Sequence, residues 1–370
     1  MNILVVTTVK FSSNGVSNVI KNLYCNKVFS NQDNNIIFLL PNNSDDSLIN
    51  ELKSYNYKVF LSKRRSIKFY RYIKLIYNII KDEQIDIIHL HGNSHSLILE
   101  LLAAKIAGCR NRIVHAHSAS SKFKILHKLL TPIFNLLYTY ALACGDAAGK
   151  FMFGNKKYLV IKNGIDTNKF IFNADSRKKI RNNYNIENNI VIGHVGTFSE
   201  VKNHSFLLDL LPILLKKNPK YKLLLIGEGS KLEDVKRKAM KMGVSESVIF
   251  VGSVEDVSNF LSACDLIVMP SLFEGFPLTL VEEQANGLKC ICSDAITKDV
   301  DLTGNVIFLS LNDSKIKWVN AIIDISIDTN REDNSISAVK KIREEGYYIM
   351  DQVINLYTVF RSLLLKNGEI

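Results

Sequence analysis

The sequence predicts an α/β protein made of two tandem doubly wound, Rossmann-like domains facing across a cleft. Short apolar runs alternate with longer amphipathic segments, the alternation pauses in a polar stretch at 163–187, and it then starts afresh. The 370 residues, 47% hydrophobic and 22% charged, suffice for two buried cores without disulfide or metal staples.

In the first half, residues 2–8 (NILVVTT), 35–40 (NIIFLL), 57–61 (YKVFL), 85–90 (IDIIHL) and 112–116 (RIVHA) read as buried strands, β-rich and bounded by polar residues. Helical patterns at 15–29, 45–55, 66–83 and 95–108 separate them, and 158–161 (YLVI) closes the half. Parallel neighbours need a crossover, so strand–helix–strand repetition means a parallel sheet with helices on both faces. In the second half the strands are expected at 190–195 (IVIGHV), 221–226 (YKLLLI), 247–251 (SVIFV), 265–269 (DLIVM), 288–293 (LKCICS) and 306–309 (VIFL). Helices are expected at 203–217, 230–242, 256–263, 279–287, 315–327 and 334–345, and a last amphipathic helix at 346–368. The expected domains are 1–165 and 166–345, followed by 346–370.

Composition narrows the function. The six cysteines lack a C-x-x-C pair, which excludes a common zinc motif and suits a reducing cytoplasm; Cys290 and Cys292 read as two buried thiols on one strand face. The apolar start has no basic flank or cleavage site, so no export signal is expected. The stretch Leu129 to Cys144 is interrupted by Thr131, Pro132, Asn135 and Thr139 and falls short of a spanning helix. Of the formal +11, residues 1–165 carry 22 Lys+Arg against 9 Asp+Glu, a net +13, and the remainder carry −2. An anionic partner for the first half follows: a membrane surface, a phosphate-bearing substrate or nucleic acid. Nucleic acid fits poorly, for no RRM, OB or helix-turn-helix signature is present and the second half is not basic.

Ligands of doubly wound sheets bind beyond the carboxyl ends of the strands. The first such loop, Thr7 to Gly15, has one glycine where a dehydrogenase would show G-x-G-x-x-G, and no P-loop exists. Asp299-Val300-Asp301 reads as a solvated loop. The informative segment is PSLFEGFPLTLVEEQANG at 270–287, in which Glu274 and Glu282 stand eight residues apart. Gly275-Phe276-Pro277 forms a turn and Leu278 begins a helix, whose free amides at Leu278 and Thr279 would hold phosphate. The two carboxylates can accept hydroxyl hydrogen bonds from sugars, Glu274 from a transferred sugar and Glu282 from a ribose. A helix with an acidic first turn would carry the same pair.

These residues resemble the E-x7-E motif of family 4 glycosyltransferases, which have the two-domain GT-B architecture and retain anomeric configuration. Val195-Gly196-Thr197-Phe198-Ser199-Glu200-Val201-Lys202-Asn203 resembles that family's phosphate-contacting segment. Leu225-Ile226-Gly227-Glu228-Gly229, Phe250-Val251-Gly252 and Asn163-Gly164-Ile165-Asp166 resemble further landmarks in the same order. The resemblance is nearest to the branch that builds bacterial capsule and exopolysaccharide. It implies a nucleotide sugar, UDP-linked, as donor and a polyprenyl-diphosphate-linked saccharide as acceptor, at the inner face of the cell membrane. It implies no cofactor and no metal, because Lys202 and the amides of Leu278 and Thr279 neutralise the diphosphate. The last helix would return to the first domain.

The resemblance also places Glu274 on the sugar, Glu282 on the ribose, Glu228 and Thr197 in the donor pocket, and Gly15, within Asn14-Gly15-Val16, at a close backbone approach. Thr197 stands where the family has Arg, so Lys202 would act alone. His117 would contact the sugar near the reacting carbon, whereas His115 reads as a buried, hydrogen-bonded histidine. His89 and His91 could face the cleft; their i, i+2 spacing rules out the helical zinc motif H-E-x-x-H. The basic residues Lys58, Lys63, Arg64, Arg65, Lys68, Arg71 and Lys74, with a second group at Lys122, Lys124 and Lys128, suit docking to anionic lipid or a solvated helix face. Within 66–81, Phe69, Ile73, Ile76 and Ile80 are expected to form the buried face. A nucleotide-sugar epimerase or a non-catalytic sugar-binding subunit would share this architecture.

Overall fold

The structure, a computed structural model, describes residues 1–12, 15–31, 33–63, 69–121, 124–325 and 330–366. It divides into two units, Met1–Gly164 with Ile349–Ile370, and Ile165–Tyr348.

The first unit runs β1 (Asn2–Thr7), α1 (Gly15–Tyr24), β2 (Asn35–Pro41), α2 (Asp46–Ser54), β3 (Lys58–Ser62), α3 (Phe69–Asp82), β4 (Ile87–His91), α4 (Ile98–Ile106), β5 (Asn111–Ala116), α5 (Lys124–Leu137), β6 (Tyr140–Ala143), α6 (Asp146–Phe153) and β7 (Leu159–Val160). The second runs α7 (Ala174–Asn183), β8 (Ile190–Val195), α8 (His204–Lys217), β9 (Tyr221–Ile226), α9 (Leu232–Lys241), β10 (Val248–Gly252), α10 (Val257–Ala263), β11 (Leu266–Met269), α11 (Leu278–Ala285), β12 (Lys289–Ser293), β13 (Val306–Leu309), α12 (Lys315–Asp324) and α13 (Arg331–Glu344). The last helix, α14 (Ile349–Lys366), belongs to the first unit, where Tyr357 and Phe360 set their rings against Phe29.

Both sheets are parallel. Their strand orders are β3-β2-β1-β4-β5-β6-β7 and β10-β9-β8-β11-β12-β13, the doubly wound order in each case. Central strands such as Ile3–Val6 and Ile267–Met269 are 0% exposed, which is why they read as unbroken apolar runs.

Four departures from the sequence reading have physical causes. The apolar stretch before Cys144 is a helix followed by a strand, because Thr139 donates its amide to Arg112 O and opens the β5–β6 ladder. The polar stretch at 163–187 contains α7, capped by the Asn173 side chain accepting from the Ser176 amide at 2.7 Å. That helix docks by charge as well as by apolar contact: beside the buried Ile180, Arg177 and Arg181 both hold the buried Asp265, Arg181 at 2.6 Å. In α3 the buried face is Tyr72, Ile76, Ile79 and Ile80, while Phe69 is exposed. Tyr72 can enter because its hydroxyl donates to the equally buried Glu100 at 2.8 Å. Finally, residues 298–300 form a short 3-10 turn whose Val300 is buried, and Asp301 Oδ1 accepts the Gly304 amide at 2.8 Å. Cys290 and Cys292 are both buried on β12.

Candidate functional site

The strand order of the second sheet reverses between β8 and β11, the place where such sheets bind ligands. The loop after β8 carries Gly196, Thr197 and Lys202, and the loop after β11 carries Glu274 and leads into α11. Backbone bonds stitch the two loops together: Leu272 donates its amide to Val201 O at 2.8 Å, and Asn203 Nδ2 donates to Pro270 O at 3.1 Å. Lys202 Nζ lies 2.7 Å from Glu274 Oε1, with the two side chains only 16% and 19% exposed. Lys202 and Glu274, far apart in sequence, therefore form one largely shielded ion pair at the switch point.

Pro277 precedes α11 with φ −72°, and the helix starts at Leu278. The first turn of any helix leaves its amides without intrahelical acceptors, so Leu278 and Thr279 supply donors at this end. Thr279 Oγ1 is buried there with no partner. Glu282 keeps some solvent contact, yet burial lifts its carboxyl to about 7 against the opposing field of Lys169. Beside it, Glu283 is 0% exposed and neither carboxyl oxygen has a partner. Burial drives that group well above the usual carboxylate range, with Lys202 pulling the other way and Glu282 reinforcing the rise. Glu283 is thus an enclosed acid whose proton is held more tightly than usual, and sequence reasoning missed it. The available signal was helical spacing, since Leu280, Glu283 and Gln284 occupy one buried face.

The loop after β9 closes against the loop after β8, main chain on main chain. Gly196 donates to Ile226 O at 3.0 Å and Phe198 to Glu228 O at 2.9 Å. At Gly227, with φ +137°, an added Cβ would stand 2.2 Å from Gly196 O; at Gly229, with φ +155°, it would stand 2.4 Å from Phe198 O. Only glycine fits either position. The side chain of Glu228 between them is exposed, as is Thr197. Gly275 is exposed with open space around its Cα, and Phe276 is already engaged, stacked on Tyr347 at 5.0 Å and 6°. Phe276 therefore anchors the turn as a packing residue. Two buried histidines line the base of the Lys202 loop. His194 Nδ1 bonds Val268 O at 2.9 Å, and His204 stacks on Phe198 at 3.9 Å. Burial, helped by Lys202, lowers both, His204 to about 4.

In the first unit the corresponding reversal lies between β1 and β4. Gly15 opens α1 after β1, exposed and with no neighbouring atom that a Cβ would meet. Its companion Asn14 lies outside the described residues, as do Arg64, Arg65, Lys68 and Lys122. His117 is partly exposed; its amide donates to Asn93 Oδ1 at 2.8 Å, and its Nε2 is paired with His91 Nδ1 at 2.8 Å. Burial holds the His117 ring down to about 4, opposed by the Asn163 side chain. His115 is fully buried as expected, but neither of its ring nitrogens has a hydrogen-bond partner. His89 and His91 are fully buried too.

Residues 176–341 match the family model described as Glycosyl transferases group 1, and residues 13–169 match Glycosyltransferase Family 4. The chain is 35% identical over 267 residues to the putative glycosyltransferase EpsF of Bacillus subtilis (strain 168), covering 68% of this chain and 69% of that protein. It is 28% identical over 313 residues to the UDP-Gal:alpha-D-GlcNAc-diphosphoundecaprenol alpha-1,3-galactosyltransferase of Escherichia coli, covering 76% and 79%. The crystal structure of Anabaena Alr3699/HepE in complex with UDP superposes with a TM-score of 0.78 at 18% identity, covering 98% of this chain and 100% of that one. The last likeness is one of fold, and the fold is GT-B.

Proposed function

The chain belongs to the glycosyltransferases that join a Family 4 half to a group 1 half, and we propose that it transfers a hexosyl group from a UDP-sugar to a lipid-linked saccharide with retention of configuration. The observation that carries this reading is the Lys202–Glu274 pair, set beside the amino end of α11 at the sheet's switch point. The donor's diphosphate takes the Lys202 ammonium and the amides of Leu278 and Thr279, with Thr279 Oγ1 as a further donor. Glu274, relieved of its lysine, accepts from a hydroxyl of the transferred sugar, and Glu282 accepts from the ribose. The bond from the anomeric carbon to the diphosphate breaks as the acceptor hydroxyl bonds to the same face. The hydroxyl's proton passes to the departing diphosphate. Position and charge do the catalytic work, and Lys202 takes the place a divalent ion would otherwise fill. His117 offers a neutral imidazole to the sugar or acceptor. The UDP choice and the lipid-linked acceptor rest on the relatives, one named for a UDP-Gal donor and a diphosphoundecaprenol acceptor, and on the UDP-bound structural neighbour. The polysaccharide setting rests on the same relatives.

The test is turnover of UDP-sugars by the purified protein with EDTA present, with and without an undecaprenyl-diphosphate saccharide. Lys202→Ala should lower kcat by roughly 10²–10³-fold, as loss of one charge-stabilising group does, and Glu274→Gln should lower it comparably. Wild-type rates in both variants overturn the reading.

For the membrane-bound acceptor, α5 supplies a surface. Ile125, Leu129, Ile133 and Leu136 recur along one face at 80%, 70%, 51% and 76% exposure, with Lys128 on the same helix. Among the described residues no helix is long and apolar enough to cross a membrane. An apolar stripe on a basic unit suits shallow insertion into an anionic leaflet, a better candidate than the basic run at 53–81 alone. Co-sedimentation with phosphatidylglycerol vesicles should fall at least about tenfold in Ile125→Ser/Leu129→Ser. Binding indifferent to both the lipid's charge and those substitutions argues against docking here.

A further inference from the structure

Four histidines meet at the carboxyl end of the first sheet. His89 and His91 alternate along β4 and so share a face, and His91 stands in register with His115 of β5. Ring centroids lie 4.1 Å apart for His89–His91, 5.4 Å for His89–His115 and 5.3 Å for His91–His115. All three residues are 0% exposed. One nitrogen from each lies within 4.8 Å of the others.

Hydrogen bonds already fix two of the rings. His89 Nδ1 meets the Tyr24 hydroxyl at 2.6 Å, and His91 Nδ1 meets His117 Nε2 at 2.8 Å. These leave His89 Nε2, His91 Nε2 and the two nitrogens of His115 buried without a well-formed hydrogen bond, the Ile161 main chain being the one polar group that interacts with the His115 ring. Buried polar atoms are almost always satisfied, and a concentration of orphans among ring nitrogens at one spot calls for a ligand that accepts lone pairs. Phe360 of α14 packs edge-on against His89 at 5.4 Å, and His117, stacked on His91 at 5.1 Å, is partly exposed.

We propose that His89, His91 and His115 form a three-imidazole site for a divalent transition-metal ion of the zinc class, with Tyr24 and His117 orienting two of the rings. Three imidazoles without a carboxylate favour zinc-like ions over magnesium or calcium. Bonds of about 2.0–2.1 Å to a tetrahedral ion set the nitrogens about 3.4 Å apart, so each ring need move by less than about 1 Å. Tyr24 and His117 are the outer partners that such ligands need to fix tautomer and orientation. A helical H-E-x-x-H is irrelevant here: on adjacent strands, alternation and register bring the ligands together. The ion would tie the ends of β4 and β5, and with them the loops that carry Asn93 and His117. The site uses neither Lys202 nor Glu274 and shares only the outer partner His117 with the proposed transfer site, so zinc binding is read directly and not through turnover.

The experiment uses the tag-free full chain, stripped with EDTA, gel-filtered and then offered zinc. About one zinc per chain should be retained, melting should rise by roughly 5–10 °C at a hundredfold excess over Kd, and magnesium should do neither. His91→Gln and His115→Gln should each weaken zinc binding by roughly 10- to 100-fold or more, whereas His204→Gln, in the other unit, should not. If the cluster variants fail to fold, X-ray absorption on the zinc-loaded wild-type chain decides, since three imidazoles give a distinct scattering pattern. Substoichiometric zinc, a spectrum without imidazole scattering, or unchanged affinity in folded cluster variants overturns the proposal.

Discussion

The two sheets share a strand order, yet they furnish the corner where that order reverses with different chemistry. In the second unit the corner holds a cation, two acids and the donor end of a helix, each partly shielded from water. In the first it holds neutral imidazoles, while the net positive charge lies over the unit at large. The backbone order supplies the location, and side chains decide what can be held there. The second corner suits a charged phosphate; the first suits uncharged hydroxyls or a metal ion.

Glycine substitutions sharpen this contrast most. Gly227→Ala meets Gly196 O at 2.2 Å in a left-handed backbone, so it should destabilise the second unit by about 3 kcal/mol or more, measured by urea denaturation. Gly15→Ala meets open space at the start of α1 and should leave stability unchanged or raise it by about 0.5–1 kcal/mol. Intact stability with lost transfer in Gly15→Ala would mark close ligand approach at that spot; unimpaired transfer would assign it to the helix turn alone.

Acid–base behaviour separates the units by a smaller margin. Between pH 4.5 and about 7 the folded chain keeps a proton on Glu282 that the unfolded chain has lost. Stability should therefore fall as pH rises through that window, by about 1–3 kcal/mol for this group, and level off above it. Glu283, also raised by burial, adds a fall of the same sign; Lys169 moderates the first and Lys202 the second. Glu282→Gln should flatten the lower window in calorimetric melts across pH 4–8. An unchanged slope would mean that Glu282 is better solvated than its setting implies. The smallest effect belongs to α5: Ile125→Ser/Leu129→Ser should alter stability by no more than about 0.5 kcal/mol per site, because both side chains are exposed. A larger loss would show that this face packs against something when the protein stands alone.

The strands of both units except β6 were legible because fully buried parallel strands are continuous apolar runs; β6 lay concealed within the apolar stretch before Cys144. The loop carrying Glu274 was legible because turn residues and a helix start sit at fixed offsets. What escaped depends on partners remote in sequence. Helix α7 was hidden because its docking face is arginine, meaningful only once Asp265 is known to lie beneath it. The Lys202–Glu274 contact spans three strand–helix–strand crossovers, from β8 through β9 and β10 to β11. Glu283 drew no reading of its own beside Glu282, and only the packing of α11 shows that it is enclosed. The histidines at 89, 91, 115 and 117 were visible singly, but their convergence required the β4–β5 register.

The placement of α14 bears on synthesis. The second unit's elements all precede it in the chain, so every one of them has been made while the first unit still lacks its final helix. Until residues 349–366 emerge, Phe29 and His89 face the solvent on the side that Tyr357 and Phe360 later cover. The part translated first is thus finished last, and a chain ended before Ile349 would keep every element of the second unit while leaving the first one unsealed.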